Sequence, residues 1–244
     1  MKILIVILVL ILLILVIKRT SVLSFAARVN IARGDVKKAI RIYDIAGRIG
    51  KMKPEQMYYY GYLLLRDGQL EKARQMLTFS SFEARDKELK NRIKSMLAVA
   101  EWKSGNLDIA IEMTEEVLKD YKTTNIYQNL GLMYVVKGDA FKAVQFNEEA
   151  FDYNSDDMII MDNLVESYAM AGETDKAIPL YEKLLQMEPH FPEPYYGYGL
   201  LLVKRGEKER GIELIEESLE KRFSFLSVMQ KEEVEKLLEN IRNN

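Results

Sequence analysis

Apolar residues recur along most of this chain at i, i+3, i+4 and i+7, the spacing that gathers them on one face of an α-helix. Short polar breaks interrupt them at a fixed interval. Each break holds a glycine and then a turn-forming residue: Gly34-Asp35, Gly68-Gln69, Gly105-Asn106, Gly138-Asp139, Gly172-Glu173 and Gly206-Glu207. A small residue stands five places beyond each glycine, at Ala39, Ala73, Ala110, Ala143, Ala177 and Gly211. The glycines lie 34, 37, 33, 34 and 34 residues apart. Glycine can take the left-handed conformation that ends one helix, and the polar residue suits the opening of the next. The small residue lets the two helices approach closely. A period of this size predicts stacked helix–turn–helix units rather than a closed globule. The predicted fold is all-α, a right-handed α-solenoid of six units over residues 20–226. The 37-residue interval puts its extra residues near Ala84 to Lys90, as a longer second helix or a loop.

Different patterns flank the repeats. Ile3 to Ile17 is an unbroken run of Ile, Leu and Val, with Lys2 before it and Lys18-Arg19 after it. As a helix it spans roughly 22 Å against a hydrocarbon core of ~30 Å, a difference that snorkelling lysines and local thinning absorb. Residues 1–19 therefore predict a transmembrane anchor. Two cations separate the run from the small residues Ser24 and Ala26, so an uncleaved anchor is favoured over a signal peptide. At the other end, residues 227–244 predict a capping helix, with Val228, Val234, Leu237, Leu238 and Ile241 on one face.

Charge adds a direction. Residues 2–53 carry eleven Lys/Arg against Asp35 and Asp44, a balance of +9, and the remainder carries −11 from 24 basic and 35 acidic residues. Lys18, Arg19, Arg28, Arg33, Lys37 and Lys38 follow the apolar run, whereas only Lys2 precedes it. That bias predicts a single-pass membrane protein with its repeats on the cytoplasmic side. The same basic residues would face anionic lipid. Repeats on the extracytoplasmic side are the alternative.

Composition narrows the chemistry. With no cysteine, disulfides, thiolate metal sites and a cysteine nucleophile are excluded. His190 is the only histidine, set between Pro189 and Phe191 in an inter-unit turn, where an exposed loop residue is expected. The phosphate-binding, dinucleotide-binding, zinc-protease and nucleophile-elbow patterns are absent. Adjacent acids such as Glu115-Glu116 and Asp156-Asp157 diverge on a helix and do not face one site. No catalytic residue, cofactor or metal is predicted.

The repeats resemble the tetratricopeptide repeat (TPR) family, in a membrane-anchored bacterial form. The resemblance covers about Thr20 to Phe225. Seven residues before the turn glycine the family has a small residue; here it is Ala27, Gly61, Ala98, Gly131 and Gly199, with Val165 departing. Tyr134 and Tyr168 match an aromatic three residues further on. In the second helix Tyr43, Leu77, Tyr181 and Ile215 fill the large position, where Thr114 and Asn147 depart. Pro189 matches the family's closing proline.

The resemblance implies a concave groove lined by the first helix of each unit, taking a peptide or helix of a partner. Its face here includes Tyr58, Tyr59, Tyr62 and Arg66; Val99, Trp102 and Lys103; Gln128, Asn129, Leu132 and Val136; Asp162, Asn163, Glu166 and Met170; and Tyr196, Leu200 and Lys204. From this face Tyr58, Tyr62, Arg66, Val99, Trp102, Gln128, Asn129, Asn163, Glu166 and Tyr196 are the expected partner-binding residues, since Tyr, Trp and Arg are the usual interface hot spots. Tyr60 is expected in the core. The groove reads as aromatic and amide-lined, suited to an apolar or mixed segment rather than an acidic tail. The expected function is a membrane-anchored scaffold that recruits a protein or peptide, binds neither nucleic acid nor a small-molecule substrate, and is not an enzyme. The alternatives are an accessory, substrate-selecting subunit of a membrane enzyme or protease complex, and an extracytoplasmic envelope-assembly factor.

Overall fold

The computed structural model of the protein describes residues 16 and 18–243. The predicted anchor at residues 1–19 falls almost wholly outside the described residues. Among the described residues, no helix is long and apolar enough to cross a membrane.

Thirteen α-helices and no strand occur among the described residues. They are α1 (Arg19–Ala32), α2 (Val36–Ile49), α3 (Pro54–Arg66), α4 (Leu70–Glu83), α5 (Lys87–Lys103), α6 (Leu107–Asp120), α7 (Thr124–Lys137), α8 (Ala140–Tyr153), α9 (Met158–Ala171), α10 (Thr174–Gln186), α11 (Glu193–Lys204), α12 (Lys208–Leu219) and α13 (Lys231–Asn243). The chain divides into two compact units, one ending at Ala100 and the other beginning at Glu101. The first holds the pairs α1/α2 and α3/α4. The second holds α6, the pairs α7/α8, α9/α10 and α11/α12, and the terminal α13. Helix α5 runs through the division.

The glycine turns are the common device. All six glycines have φ between +77° and +92°, where a side chain is strained. In five of these turns the N–H after the glycine donates to the carbonyl five residues back, as from Asp35 to Asn30 (2.9 Å) and from Glu207 to Leu202 (3.0 Å), satisfying a carbonyl that the helix end leaves free. Asp35 and Asp139 then cap the next helix by accepting the backbone N–H of Lys38 (2.9 Å) and of Lys142 (3.1 Å).

Beyond each turn the two helices of a pair meet at the small residues. A methyl at Gly61 would lie 2.7 Å from Leu77 Cγ, and one at Gly199 would lie 2.7 Å from the carbonyl oxygen of Gly211. The polar departures at the large position donate hydrogen bonds inside the core, although the buried Asn147 Oδ1 has no donor of its own. Thr114 donates to the Ala110 carbonyl (2.8 Å), and Asn147 donates to Ser167 Oγ (2.9 Å) and to the Gly131 carbonyl (3.2 Å). The amide nitrogen is thus satisfied at a position that an apolar side chain would otherwise fill.

A second periodic device joins successive pairs within each unit. A tyrosine on a first helix donates to a carboxylate of the preceding second helix, while a cation from its own second helix covers the ring. Tyr60 meets Asp44 and Lys72; Tyr134 meets Glu115 and Lys142; Tyr168 meets Glu148 (2.8 Å) and Lys176; Tyr198 meets Glu182 (3.1 Å) and Arg210. The cations lie 5.3, 4.6, 4.9 and 5.5 Å from the ring centres. Tyr60, 3% exposed and stacked on Tyr43 at 5.5 Å, is thus a core residue. Burial and the carboxylate together push the phenols of Tyr60 and Tyr168 up to about 12. Glu115 is held below the usual carboxylate range, chiefly by the Tyr134 hydroxyl.

Two expectations about boundaries change. The extra residues of the long interval lengthen a first helix, α5, to 17 residues where the other first helices have 12 to 14. Asp86 accepts the N–H of Leu89 (2.7 Å) and starts that helix, so neither a longer second helix nor a long loop is needed. The capping helix begins at Lys231 rather than 227, because Glu233 accepts the N–H of Gln230 (2.8 Å) and sets the start there. Its Val234 and Leu238 pack with Ile215 and Met229, while Val228 stays outside the helix and 43% exposed.

Two sets of variants test these devices. Gly172→Ala meets nothing within 4 Å, so only backbone strain acts, and urea unfolding should show a loss of about 1–2 kcal/mol. Gly199→Ala drives a methyl against backbone and should cost more. Tyr134→Phe should cost about 1 kcal/mol at pH 7. Glu115 has a lowered folded pKa, so its contribution is present above the unfolded value near 4.5 and lost as pH falls through the folded one. The difference between wild type and Tyr134→Phe should therefore shrink in acid. Lys142→Ala should change stability by less than about 1 kcal/mol, because water screens a pair whose side chains are 49% and 39% exposed.

Candidate functional site: an acid-floored cavity

Three first helices of the second unit, α7, α9 and α11, together with the segment ahead of α13, line an open cavity of about 470 Å³. Its size falls in the range of ligand pockets. Leu132, Val135 and Val136 of α7, Leu200 and Leu201 of α11, and Val228 and Met229 form apolar walls. Asp162, Asn163 and Glu166 of α9 and Glu193, Tyr196 and Lys204 of α11 add polar groups. Helix α9 sets the arrangement. It is otherwise strongly apolar, and Asp162 and Glu166 stand one turn apart on its cavity side.

The three acids are held differently. Glu166 accepts from the Tyr181 hydroxyl (2.6 Å) and lies against Gly197, where any side chain would collide with its carboxylate. Glu193 accepts from the N–H of Val228 (3.3 Å), joining α11 to the segment ahead of α13. Asp162 is 5% exposed, and its Oδ1 has no hydrogen-bond partner. Burial pushes all three carboxyls up. The neighbouring charges of Glu166 and Glu193 raise Asp162 further, while the Tyr181 hydroxyl pulls Glu166 partly back. Asn163 faces its neighbour instead, donating to the Gln128 carbonyl (2.9 Å).

The cavity brings together Asn163, Glu166 and Tyr196 of the expected partner-binding residues. Gln128 spends its side-chain amide on Asp157, at 2.8 Å and 2.9 Å, and Asn129 is half-buried on the same helix. Trp102 is half-buried under Lys103, whose Nζ lies 4.2 Å from the ring centre and donates to the Ser227 carbonyl (2.9 Å). Tyr58, Tyr62, Arg66 and Val99 lie in the first unit. Arg92 covers Tyr58 at 4.7 Å, Arg66 lies 5.8 Å from the Tyr62 ring, and Val99 is buried. The basic residues Lys18, Arg19, Arg28, Arg33, Lys37 and Lys38 are all exposed, and Arg19 donates to the Ile49 carbonyl (2.6 Å). His190 is exposed, as expected of a loop residue. Among the described residues, no cluster of His, Asp and Glu is arranged to hold a metal ion.

Asp162 lies on the expected face but is not among the expected partner-binding residues, and neither Glu193 nor Gly197 follows from the repeat pattern. The available signal was an acid repeated one turn apart within an apolar helix.

Known proteins give the fold its context. The family model for the tetratricopeptide repeat matches residues 168–224. Two TPR repeat-containing proteins of Bacillus subtilis (strain 168) are similar: YvcD, 30% identical over 122 residues, covering 50% of this chain and 24% of YvcD, and YpiA, 26% identical over 214 residues, covering 84% and 48%. The chain thus spans less than half the length of either relative. Among solved structures, a tetratricopeptide repeat protein from Parabacteroides merdae superposes with a TM-score of 0.74 at 16% identity, covering 93% of this chain and 85% of that one. The APC/C hetero-tetramer Cut9–Hcn1 contains a chain that superposes at 0.72 and 13% identity, covering 91% of this chain and 42% of its own length. At these identities the structures speak for the fold alone. The fold is an all-helical, TPR-like solenoid, and the family model and the relatives support the TPR family.

Asp162→Asn removes the ionisable group without changing shape. It should raise stability at pH 7 by about 1 kcal/mol, roughly 2–4 °C in the thermal midpoint. A carboxyl with a raised folded pKa favours folding most below its unfolded value, here near 3.8, and loses that contribution as pH rises through the folded value. The advantage of Asp162→Asn over wild type should therefore grow from pH 4 upward in calorimetric scans.

Proposed function

We propose that this chain is a membrane-tethered scaffold, without catalysis of its own, that recruits a protein partner through the faces of its first helices. The carrying observation is the cavity formed by three successive first helices in a chain of TPR-like fold. Apolar walls and buried polar groups in one concavity suit side chains of a partner. TPR proteins bind protein partners, and one structural neighbour was solved in the Cut9–Hcn1 assembly. The tether rests on the sequence: the apolar run Ile3 to Ile17, followed at once by Lys18-Arg19 and by an α1 whose cations are exposed. The Lys/Arg bias supports cytoplasmic repeats.

Two measurements test this reading. Tyr62→Ala combined with Trp102→Ala should abolish co-purification of partners from detergent extracts of the host while leaving the helical circular dichroism intact. Unchanged capture would remove those residues from the binding face. Protease added to intact cells should spare the repeats, and digestion without lysis would overturn the orientation.

A further inference from the structure

We propose that the cavity of the second unit receives an arginine side chain presented on an apolar segment of the partner protein. The inference rests on the scaffold reading and names the chemistry which that reading leaves open.

Asp162 carries the argument. It is buried to within 5% of complete, it lines the cavity, and its Oδ1 lacks a donor. A buried carboxylate oxygen left without a donor is costly, so it needs a reason. Folding has supplied donors to the other two acids, Tyr181 to Glu166 and the Val228 N–H to Glu193. A guanidinium entering the cavity supplies the missing donor and offsets the repulsion between Asp162 and Glu166. Arginine suits the place better than lysine. Its planar fork can serve two carboxylates standing one turn apart on α9, and it sheds water more readily than an ammonium. The walls answer to the rest of the occupant. Leu132, Val136 and Leu200 offer apolar surface to the arginine stem and to the residues beside it. A free polyamine shares the charge but leaves those walls uncovered, and a segment rich in Asp or Glu would meet like charge.

The test uses the full chain in detergent, titrated calorimetrically with acetyl-Ala-Leu-Arg-Leu-Ala-amide and with the same peptide carrying citrulline, which keeps the shape and loses the charge. The arginine peptide should bind at least about tenfold more tightly, the scale of a hydrogen bond to a charged group. Asp162→Asn and, separately, Glu166→Gln should erase that preference with helicity unchanged. Glu239→Gln, which removes an exposed carboxylate elsewhere, should preserve it. Equal affinity for the two peptides, failure of both to bind, or a preference that survives Asp162→Asn would overturn the proposal. So would spermidine binding that depends on Asp162 when neither peptide binds. Partner capture separates the two readings. If Asp162→Asn leaves capture intact while the Tyr62/Trp102 double variant empties it, the arginine site falls and the scaffold stands. If no variant changes capture, the first-helix faces are not the recruiting surface and the arginine site falls with them, and if the wild-type chain captures no partner, the scaffold reading falls.

Discussion

The helix pairs depend on a contact from which side chains are nearly excluded. Where a first helix crosses its second, Gly61 lies against Leu77 and Gly199 against the backbone of Gly211, with no space for a further carbon. Such close approach holds the two axes together over a few residues. It is reachable only because the intervening turn is short, and the turn is short because glycine accepts a φ near +80°. Everything built on the pairs inherits this constraint. With the axes fixed, each second helix presents one side to its own first helix and the other side to the next.

The tyrosine contacts use both sides. The basic residue lies four places after the turn glycine, at Lys72, Lys142, Lys176 and Arg210, and the acid lies ten places after it, at Asp44, Glu115, Glu148 and Glu182. A tyrosine of the intervening first helix closes each contact. None of the ion pairs is buried deeply enough to add much energy alone, but each fixes the register of neighbours that apolar packing leaves free to slide. At the cavity the same ingredients are used otherwise. Tyr181, on a second helix, turns inward to Glu166, and Asp162 Oδ1 has no donor. A local departure from a pattern kept elsewhere is where a functional strain is expected.

The repeat period, the turns and the core were legible because each rests on one residue type at a fixed offset. Gly34 to Gly206 announced the turns, Ala27 and Gly61 the crossings, and Tyr60 its place inside. The break before α5 was harder, since Asp86 acts as a cap inside a run of charges that reads equally well as helix. The start of α13 turned on a single carboxylate, Glu233, reaching back to Gln230. The cavity was legible only in part. Asn163, Glu166 and Tyr196 follow from helical phase, but nothing in the sequence tells whether an acid on that face is solvated or enclosed. Glu193 takes its role from a segment, residues 227–229, that belongs to no repeat, and Gly197 takes its own from the Glu166 carboxylate packed against it.

The placement of the tyrosine contacts has a consequence for how such a chain grows. Acid and base sit at constant distances from the turn glycine, so a repeat duplicated in the gene carries both halves of the joint. The copy offers its base to its own tyrosine and its acid to the tyrosine of whatever follows. A tandem duplicate can thus dock on its parent at once, before any further mutation, whereas a copy whose second helix gained or lost a residue would turn its acid about 100° from the ring it should meet. Length is then free to vary by whole repeats and is held fixed within them.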